Sequence, residues 1–227
     1  LRYTYTTGAG TARYMGLGGA FGALGADLSS ASTNPAGLAR YSKSEFVFTP
    51  GYQLGASNST FNNTATYNGK NNLNITNIGF VSSTINDKPD ISGWKSVQFG
   101  LTYNKLHNYH LKTSIAGKSQ SSLTHAIANL ANGNSVDDLY NYYPFDLGLF
   151  YDGYLIEPDP NNPLTYYSYI ETDVTFNKNI ERSGQLGETA ISMSGNYDDI
   201  LYVGGTIGVQ KLNYSETNTY TENIIDR

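Results

Sequence analysis

The chain has 227 residues, long enough for one large or two small domains, and it has no cysteine, which excludes disulfides, dithiol redox chemistry and thiolate metal sites. Its formal net charge is −5 and no basic block accompanies that charge, so the chain lacks the electrostatic footprint of a nucleic-acid-binding protein. Only 15% of the residues are charged, whereas 20 are Tyr and 24 are Gly. Proteins that span a bilayer as strands are typically of this composition, because each strand shows only one apolar face to lipid.

The first element, residues 1–41, is rich in small residues and predicts a plug. Glycine recurs at every third position, so the backbone can lie close against a wall while a few apolar side chains project from it. The glycines of this pattern are Gly16, Gly19, Gly22 and Gly25, and the projecting side chains are Phe21, Leu24 and Leu28. We expect the three apolar side chains to contact a hydrophobic ligand. A dinucleotide site is excluded, because Phe21 stands where the third glycine of that fingerprint would be.

This amino-terminal segment ends at a corner formed by Asn34, Pro35 and Ala36. Proline fixes its own φ and disfavours a helical conformation in the residue before it, so the chain leaves this point in a new direction. These three residues complete the structural motif that we predict for the segment.

Beyond residue 41, apolar and polar residues alternate, which is the period of a β-strand with two different faces. We predict five strands, at about residues 46–56, 73–84, 94–109, 185–196 and 200–214. The side chains expected to face lipid are Phe99, Leu101, Leu201 and Val203, and those expected on the opposite, polar side are Gln98 and Thr206. Because no apolar run approaches the ~18 residues of a transmembrane helix, this chain would have to span a membrane as strands.

The predicted connections have two lengths. Residues 86–93 and 196–199 are short and turn-like, whereas residues 57–72 and 110–184 are long. Outer-membrane barrels have the same asymmetry, with short periplasmic turns and long extracellular loops. The sequence therefore predicts that residues 110–184 form an extracellular loop.

The long connection contains signals of its own structure. Apolar residues at positions i, i+4 and i+7 predict a helix over residues 121–131. The run at residues 140–156 is rich in Tyr and Phe, which suit an amphiphilic ligand because the rings can contact its tail. We expect Phe145, Phe150 and Tyr151 to contact the ligand. The aromatic belt of a barrel is an alternative explanation of the same run.

Residues 15–21 and 34–37 resemble the amino-terminal hatch of the FadL-type outer-membrane transporters of long-chain fatty acids and other hydrophobic compounds. The first stretch carries a Met-Gly-x-Gly-Gly-Ala-Phe run and the second an Asn-Pro-Ala turn. The likeness is greatest to the branch found in Bacteroidota. Residues 187–208 are a weaker match to an interior hairpin of that branch.

The resemblance implies an all-β fold, a transmembrane antiparallel β-barrel of fourteen strands with the hatch inside its lumen. Residues 1–41 would be the hatch and residues 42–227 the first part of the barrel, so we expect roughly the first half of such a transporter. The family implies passive diffusion of ligand across the outer membrane of a Gram-negative bacterium. The expected partners are outer-membrane lipid and a hydrophobic small molecule.

The remaining polar residues do not predict an enzyme. We interpret His107, His110 and His125 as solvated loop residues, and the paired carboxylates of the chain as parts of turns. We therefore expect no catalytic residue, no metal and no cofactor. Two other functions stay open: an accessory outer-membrane barrel that binds a protein partner of a secretion system through its extracellular loops, and a soluble all-β binding or adhesion domain.

Overall fold

The computed structural model describes residues 2–4, 6–7, 10–86, 92–170 and 173–225. The protein is mostly β-strand, 57%, with an antiparallel sheet. It divides into two compact units. The first unit comprises Leu1–Ala56, Gly69–Lys112 and Glu181–Thr217, and the second comprises Ser57–Asn68, Thr113–Ile180 and Asn218–Arg227.

The described residues form eight strands. They are β1 (Glu45–Phe61), β2 (Thr64–Ile85), β3 (Trp94–Asn108), β4 (Leu111–Ser119), β5 (Ile156–Asp159), β6 (Asn162–Ser168), β7 (Val174–Tyr197) and β8 (Leu201–Ile224). Six of these strands form one sheet in the order β1-β2-β3-β7-β4, with β8 also paired to β7. Strands β5 and β6 form a separate hairpin.

The helices are short. In chain order they are α1 (Ala12–Gly16), α2 (Ser30–Thr33), α3 (Leu123–Ala131), α4 (Val136–Tyr142) and α5 (Leu147–Asp152). The helix predicted at residues 121–131 is confirmed as α3. It begins after Ser122, whose hydroxyl accepts a hydrogen bond from the backbone N–H of Thr124 and so satisfies one free donor of the first turn.

The prediction of a long connection at residues 57–72 was wrong. Strand β1 continues to Phe61 and β2 begins at Thr64, so a two-residue turn joins them. Asn62 and Asn63 both have positive φ, which asparagine tolerates better than most residues and which tight hairpin turns require. The strands escaped prediction here because their sequence is polar on both faces and so lacks the apolar alternation of a half-buried strand.

The loop predicted at residues 110–184 is also shorter than expected. Strand β4 occupies its first part and β7 begins at Val174, so the connection is residues 120–173. Within it, residues 120–170, which we call the insert, have a core of their own. The buried residues of that core are Ala128, Ala131, Leu139, Leu147, Ile156 and Tyr166. Each helix and strand of the insert contributes to this core, so the insert is a folded element.

Strands β2, β3 and β7 give the sheet of the first unit two different faces. The apolar face is exposed, and its central row is Phe80, Leu101 and Ile191, which are direct partners across the three strands. The polar face is buried. Its residues include Gln98, Thr102, Asn104, Ser192 and Ser194. A soluble sheet normally buries its apolar face and exposes its polar one, so this arrangement is the reverse.

The strand faces predicted from alternation are confirmed. The four side chains expected to point outward are exposed, and they are Phe99, Leu101, Leu201 and Val203. On the other side, Gln98 is completely buried. Thr206 lies on the same side as Gln98, since its hydroxyl donates a hydrogen bond to the backbone of the amino-terminal segment.

Candidate functional site

The amino-terminal segment has a small core of its own. The hydroxyl of Thr11 caps α1 and donates to the carboxylate of Asp27, whose oxygens lie 2.8 and 2.9 Å away. The ring of Phe21 lies 6.1 Å from that of Tyr14, and the guanidinium of Arg13 lies 5.0 Å from the centre of the Phe21 ring. Because Phe21 is only 1% exposed, it is a core residue of the segment.

The three apolar residues expected to contact a ligand lie in different surroundings. Phe21 is buried inside the segment, Leu28 is buried against the sheet, and only Leu24 is largely exposed. Leu28 fills the space over Gly79 of β2, where an added Cβ would lie 2.5 Å from the Leu28 Cδ2. Ligand contact by these residues stays a prediction, and Leu24 is the one that a ligand can reach without rearrangement.

The glycines of the predicted pattern differ in how closely another part of the chain approaches them. The expectation that Gly16 and Gly22 permit a close approach is wrong, because a Cβ at either position would meet no atom within 4 Å. The close approach occurs between Gly25 and Gly37, since a Cβ at Gly25 would lie 2.7 Å from the carbonyl oxygen of Gly37. Gly19 and Gly25 also have positive φ, +80° and +62°, which favours glycine.

We expect Gly25→Ala to destabilise the amino-terminal segment and Gly22→Ala to leave it unchanged. The first substitution places a Cβ against backbone at a positive φ, a conformation that costs about 1–2 kcal/mol for a residue with a side chain. The second adds a methyl group in open space. Urea unfolding of the two variants measures the difference, and equal midpoints would contradict this account of the glycines.

The corner at Asn34, Pro35 and Ala36 lies against the sheet. A 3₁₀ helix, Pro35–Arg40, begins there with proline in its first turn. At Gly204 of β8, an added Cβ would lie 2.5 Å from the carbonyl carbon of Pro35 and 2.6 Å from the nitrogen of Ala36. The sheet accommodates the corner because residue 204 has no side chain.

Polar side chains of the sheet hold the segment by hydrogen bonds. The hydroxyl of Ser32 donates to Oε1 of Glu188 (2.6 Å) and accepts from Nδ2 of Asn104 (2.8 Å). The hydroxyl of Thr206 donates to the carbonyl oxygen of Ala31 (2.6 Å). These bonds act together with an apolar contact, since Leu28, Ala31, Leu38 and Tyr41 form a buried cluster with Val81 of β2.

A β-bulge in β3 lies next to the amino-terminal segment. The register between β3 and β7 shifts between Lys105 and His107, which leaves Leu106 as the extra residue. The carbonyl oxygen of Leu106 accepts hydrogen bonds from the backbone N–H and the hydroxyl of Thr7, both at 2.8 Å. The bulge therefore gives the segment an attachment point on the strand.

A cavity of 610 Å³ adjoins the bulge. Residues from both the segment and the sheet line it, among them Thr7, Met15, Thr76, Lys105 and Asn108. Lys105 is 3% exposed. Alternation along β3 would place it on the apolar face with Leu101, but it is buried and lines the cavity, directly before the bulge.

The interpretation of the histidines as loop residues was wrong for His107 and His125, which lie in ordered elements, whereas His110 does lie in a connection. His107 is in β3, His125 is in α3, and His110 lies between β3 and β4; all three are half-buried. Across the residues that the structure describes, no three His, Cys, Asp or Glu side chains are grouped so that they could hold a metal ion.

Two of the paired carboxylates support a turn and a helix end. Asp198, between β7 and β8, accepts hydrogen bonds from the hydroxyl of Ser92 (2.6 Å) and the N–H of Gly93 (2.8 Å). These bonds lower the pKa of Asp198, the Ser92 bond most strongly. Asp138 and Ser135 form a capping box at the start of α4, and the hydrogen bonds from Ser135 lower the pKa of Asp138.

The three aromatic residues of the insert that were expected to contact a ligand differ in their exposure to solvent. Phe145 is 90% exposed. Phe150 and Tyr151 are half-buried and pack against the core of the insert. Phe145 is therefore the only one of the three that a ligand or a partner can contact without disturbing that core.

No contact with the amino-terminal segment was predicted for Glu188 or Gly204, although both lie against that segment. Gly204 carried a usable signal, because glycine within a strand marks a close approach of another backbone. Glu188 carried none, since a single carboxylate in a polar strand is equally typical of a solvated face.

Comparison with protein-family models, with curated proteins and with solved structures finds no match for this chain. No helix within the described ranges is long and apolar enough to cross a membrane. The features that bear on function are therefore the two faces of the sheet, the amino-terminal segment bonded to the polar face, and the cavity at the bulge.

Proposed function

We propose that the chain is part of a transmembrane β-barrel in the outer membrane of a Gram-negative bacterium, where it passes hydrophobic small molecules such as long-chain fatty acids by passive diffusion. One observation carries the proposal: the apolar row of Phe80, Leu101 and Ile191 is exposed while the polar face is buried. A sheet of this kind suits lipid on one side and a polar lumen on the other. The likeness of residues 15–21 and 34–37 to the FadL-type hatch also supports an outer-membrane transport barrel.

Lipid is the partner that best matches the apolar face. Phe99 and Met193 extend the central row and are also largely exposed. Contiguous apolar surface of this kind marks an interaction site, because water solvates it poorly. Strands β3, β7 and β8 have 15, 24 and 24 residues, and about 9–11 are enough to cross a bilayer. Length and face polarity thus both favour a membrane-spanning sheet.

The amino-terminal segment would act as the hatch of this barrel. Part of its attachment is hydrogen bonding, as between Ser32 and Glu188 and between Thr206 and Ala31, and part is the buried apolar cluster with Val81. When the segment shifts, the hydrogen bonds can re-form with water, which opens a path beside the sheet, whereas exposure of the apolar cluster opposes the shift. The buried contact of Leu28 over Gly79 favours the closed position.

Membrane extraction and ligand binding test the proposal. We expect the protein to stay with the outer-membrane fraction through a carbonate wash, to need detergent for release, and to migrate differently before and after boiling. In detergent, the purified protein should bind tritiated hexadecanoate saturably. Release without detergent would contradict the barrel, and a detergent-extracted protein without saturable binding would contradict the transport of hydrophobic ligands.

The insert favours a second candidate function, the binding of a protein partner of a secretion system. Its surface carries aromatic side chains that are mostly exposed, namely Tyr142, Phe145 and Tyr154. Aromatic residues are enriched at protein interfaces, where they supply large contact areas. A stoichiometric protein complex that survives purification would favour this function over transport.

Phe145→Ser is expected to leave the insert folded and to weaken the contact that the insert makes with ligand or partner, because the side chain is almost fully exposed. Phe150→Ser is the matched comparison, since Phe150 packs against the insert core and its loss should destabilise the insert by about 1–3 kcal/mol. Uptake of hexadecanoate at low concentration and thermal unfolding are measured for both variants. Normal uptake of hexadecanoate by the folded Phe145→Ser variant would show that Phe145 does not contact the ligand.

A further inference from the structure

Lys105 is a buried cation without a protein partner among the described residues. Its side chain is 3% exposed, and its Nζ has no hydrogen-bond partner anywhere in the residues that the structure describes. By contrast, Nζ of Lys70 lies 2.7 Å from the carboxylate of Glu181. Burying an ammonium group without a counter-charge is strongly unfavourable, so the site calls for an anion.

Lys105 is the last residue of β3 before the bulge. Alternation from Leu101 would present residue 105 on the apolar face, whereas Lys105 is buried and lines the cavity. Bulges are commonly found next to functional sites, and here a buried cation lies beside one at the wall of a cavity. The 610 Å³ cavity is within the range of about 300–1,000 Å³ that small-molecule sites occupy.

The lining of the cavity favours a ligand with one negative charge. Lys105 is accompanied by neutral donors and acceptors such as Thr7, Thr76 and Asn108. None of the described residues that line the cavity is an arginine or a carboxylate. Phosphate groups are usually bound by several cations or by the paired donors of arginine, whereas one ammonium group balances one carboxylate.

We infer that Lys105 is a specificity-determining residue that binds the carboxylate of the transported ligand in this cavity. The inference rests on the proposed function, because it requires a hydrophobic molecule between the amino-terminal segment and the sheet. Met15 of that segment supplies apolar surface in the same cavity for the first part of the aliphatic chain. Acids are then preferred over neutral amphiphiles of equal length.

Equilibrium binding of hexadecanoate and hexadecan-1-ol to the purified protein in detergent tests this assignment. Lys105→Gln is expected to lower the affinity for hexadecanoate about tenfold or more, since a charge-assisted hydrogen bond is lost, and to leave the affinity for the alcohol unchanged. Lys105→Arg keeps the charge and should retain most of the affinity for the acid. The exposed Lys178 of β7 provides the control variant Lys178→Gln, which should change neither affinity.

The outcomes separate the assignment from the proposed function. Unchanged binding of hexadecanoate by Lys105→Gln, with the alcohol still bound, would overturn the role of Lys105 and leave the transport proposal standing. An equal loss of affinity for both probes in Lys105→Gln would also overturn the role of Lys105 in binding the carboxylate, because such a loss would show that the residue has a structural role. A native protein that binds neither probe would overturn the transport proposal, and the assignment of Lys105 with it.

Discussion

Replacing Leu101 with arginine is expected to prevent stable assembly in a membrane. Leu101 lies at the middle of β3 between its direct partners Phe80 and Ile191, and all three side chains are exposed on the apolar face. An arginine on the lipid face of a barrel costs about 2–4 kcal/mol at the bilayer midplane. Folding into phospholipid vesicles, followed by urea titration and the shift in mobility on boiling, measures the loss.

Gln210→Arg is the matched control for Leu101→Arg. Gln210 is exposed on β8, and its Nε2 lies 3.5 Å from a carboxylate oxygen of Glu188, so an arginine there adds a cation beside an anion. We expect little loss of stability. Gln98 cannot serve as this control, because it is completely buried and donates to the carbonyl oxygen of Tyr41 (3.1 Å). If both arginine variants assemble equally well, the apolar face does not contact lipid.

The faces of the strands were predictable because alternation is a local property. In β3, Phe99 and Leu101 alternate with Gln98, and any pleated strand separates such residues onto two sides whatever its partners are. The same locality explains why α3 was predicted, since its apolar residues recur at helical spacing. Neither prediction required knowledge of which strands pair.

The place of Lys105 could not be predicted in the same way. It continues the alternation of Leu101 and Tyr103, which would put it on the outer face. It is buried instead, at the point where the register of β3 with β7 shifts and leaves Leu106 as an extra residue. Register between strands that are distant in sequence is not encoded in either strand alone, so no local pattern marks this cation as part of a site.

The hairpin of the insert was missed for a different reason. Residues 157–163 contain three prolines and lie within the stretch that was predicted as an extracellular loop. In the structure, Pro158 lies in β5 opposite Tyr166 of β6, in a sheet of only two strands. Proline is tolerated there because an edge strand leaves some backbone donors unpaired in any case. Composition alone does not distinguish such an edge from a loop.

Gly204→Val is expected to displace the amino-terminal segment from the sheet. The new Cβ would lie 2.5–2.6 Å from backbone atoms of Pro35 and Ala36, and backbone cannot move aside as a flexible side chain can. Overpacking of this kind costs about 1–3 kcal/mol or more, and moving the whole corner away relieves it. The chain has no cysteine, so two cysteines can be introduced in place of Ser32 and Glu188, whose side chains are in contact. The yield of their reaction with a short thiol crosslinker measures how much of the amino-terminal segment is docked on the sheet.

The neighbouring glycine supplies the control. A Cβ at Gly205 would meet no atom within 4 Å, so Gly205→Val adds the same β-branched side chain to the same strand on its open side. We expect high crosslinking yield in Gly205→Val and low yield in Gly204→Val, with both proteins still inserted in membranes. The displaced segment should also raise the rate of hexadecanoate entry into vesicles, because the path beside the sheet is open. Equal yields would mean that the corner does not dock on β8, and a low yield without faster entry would mean that the segment does not close the path.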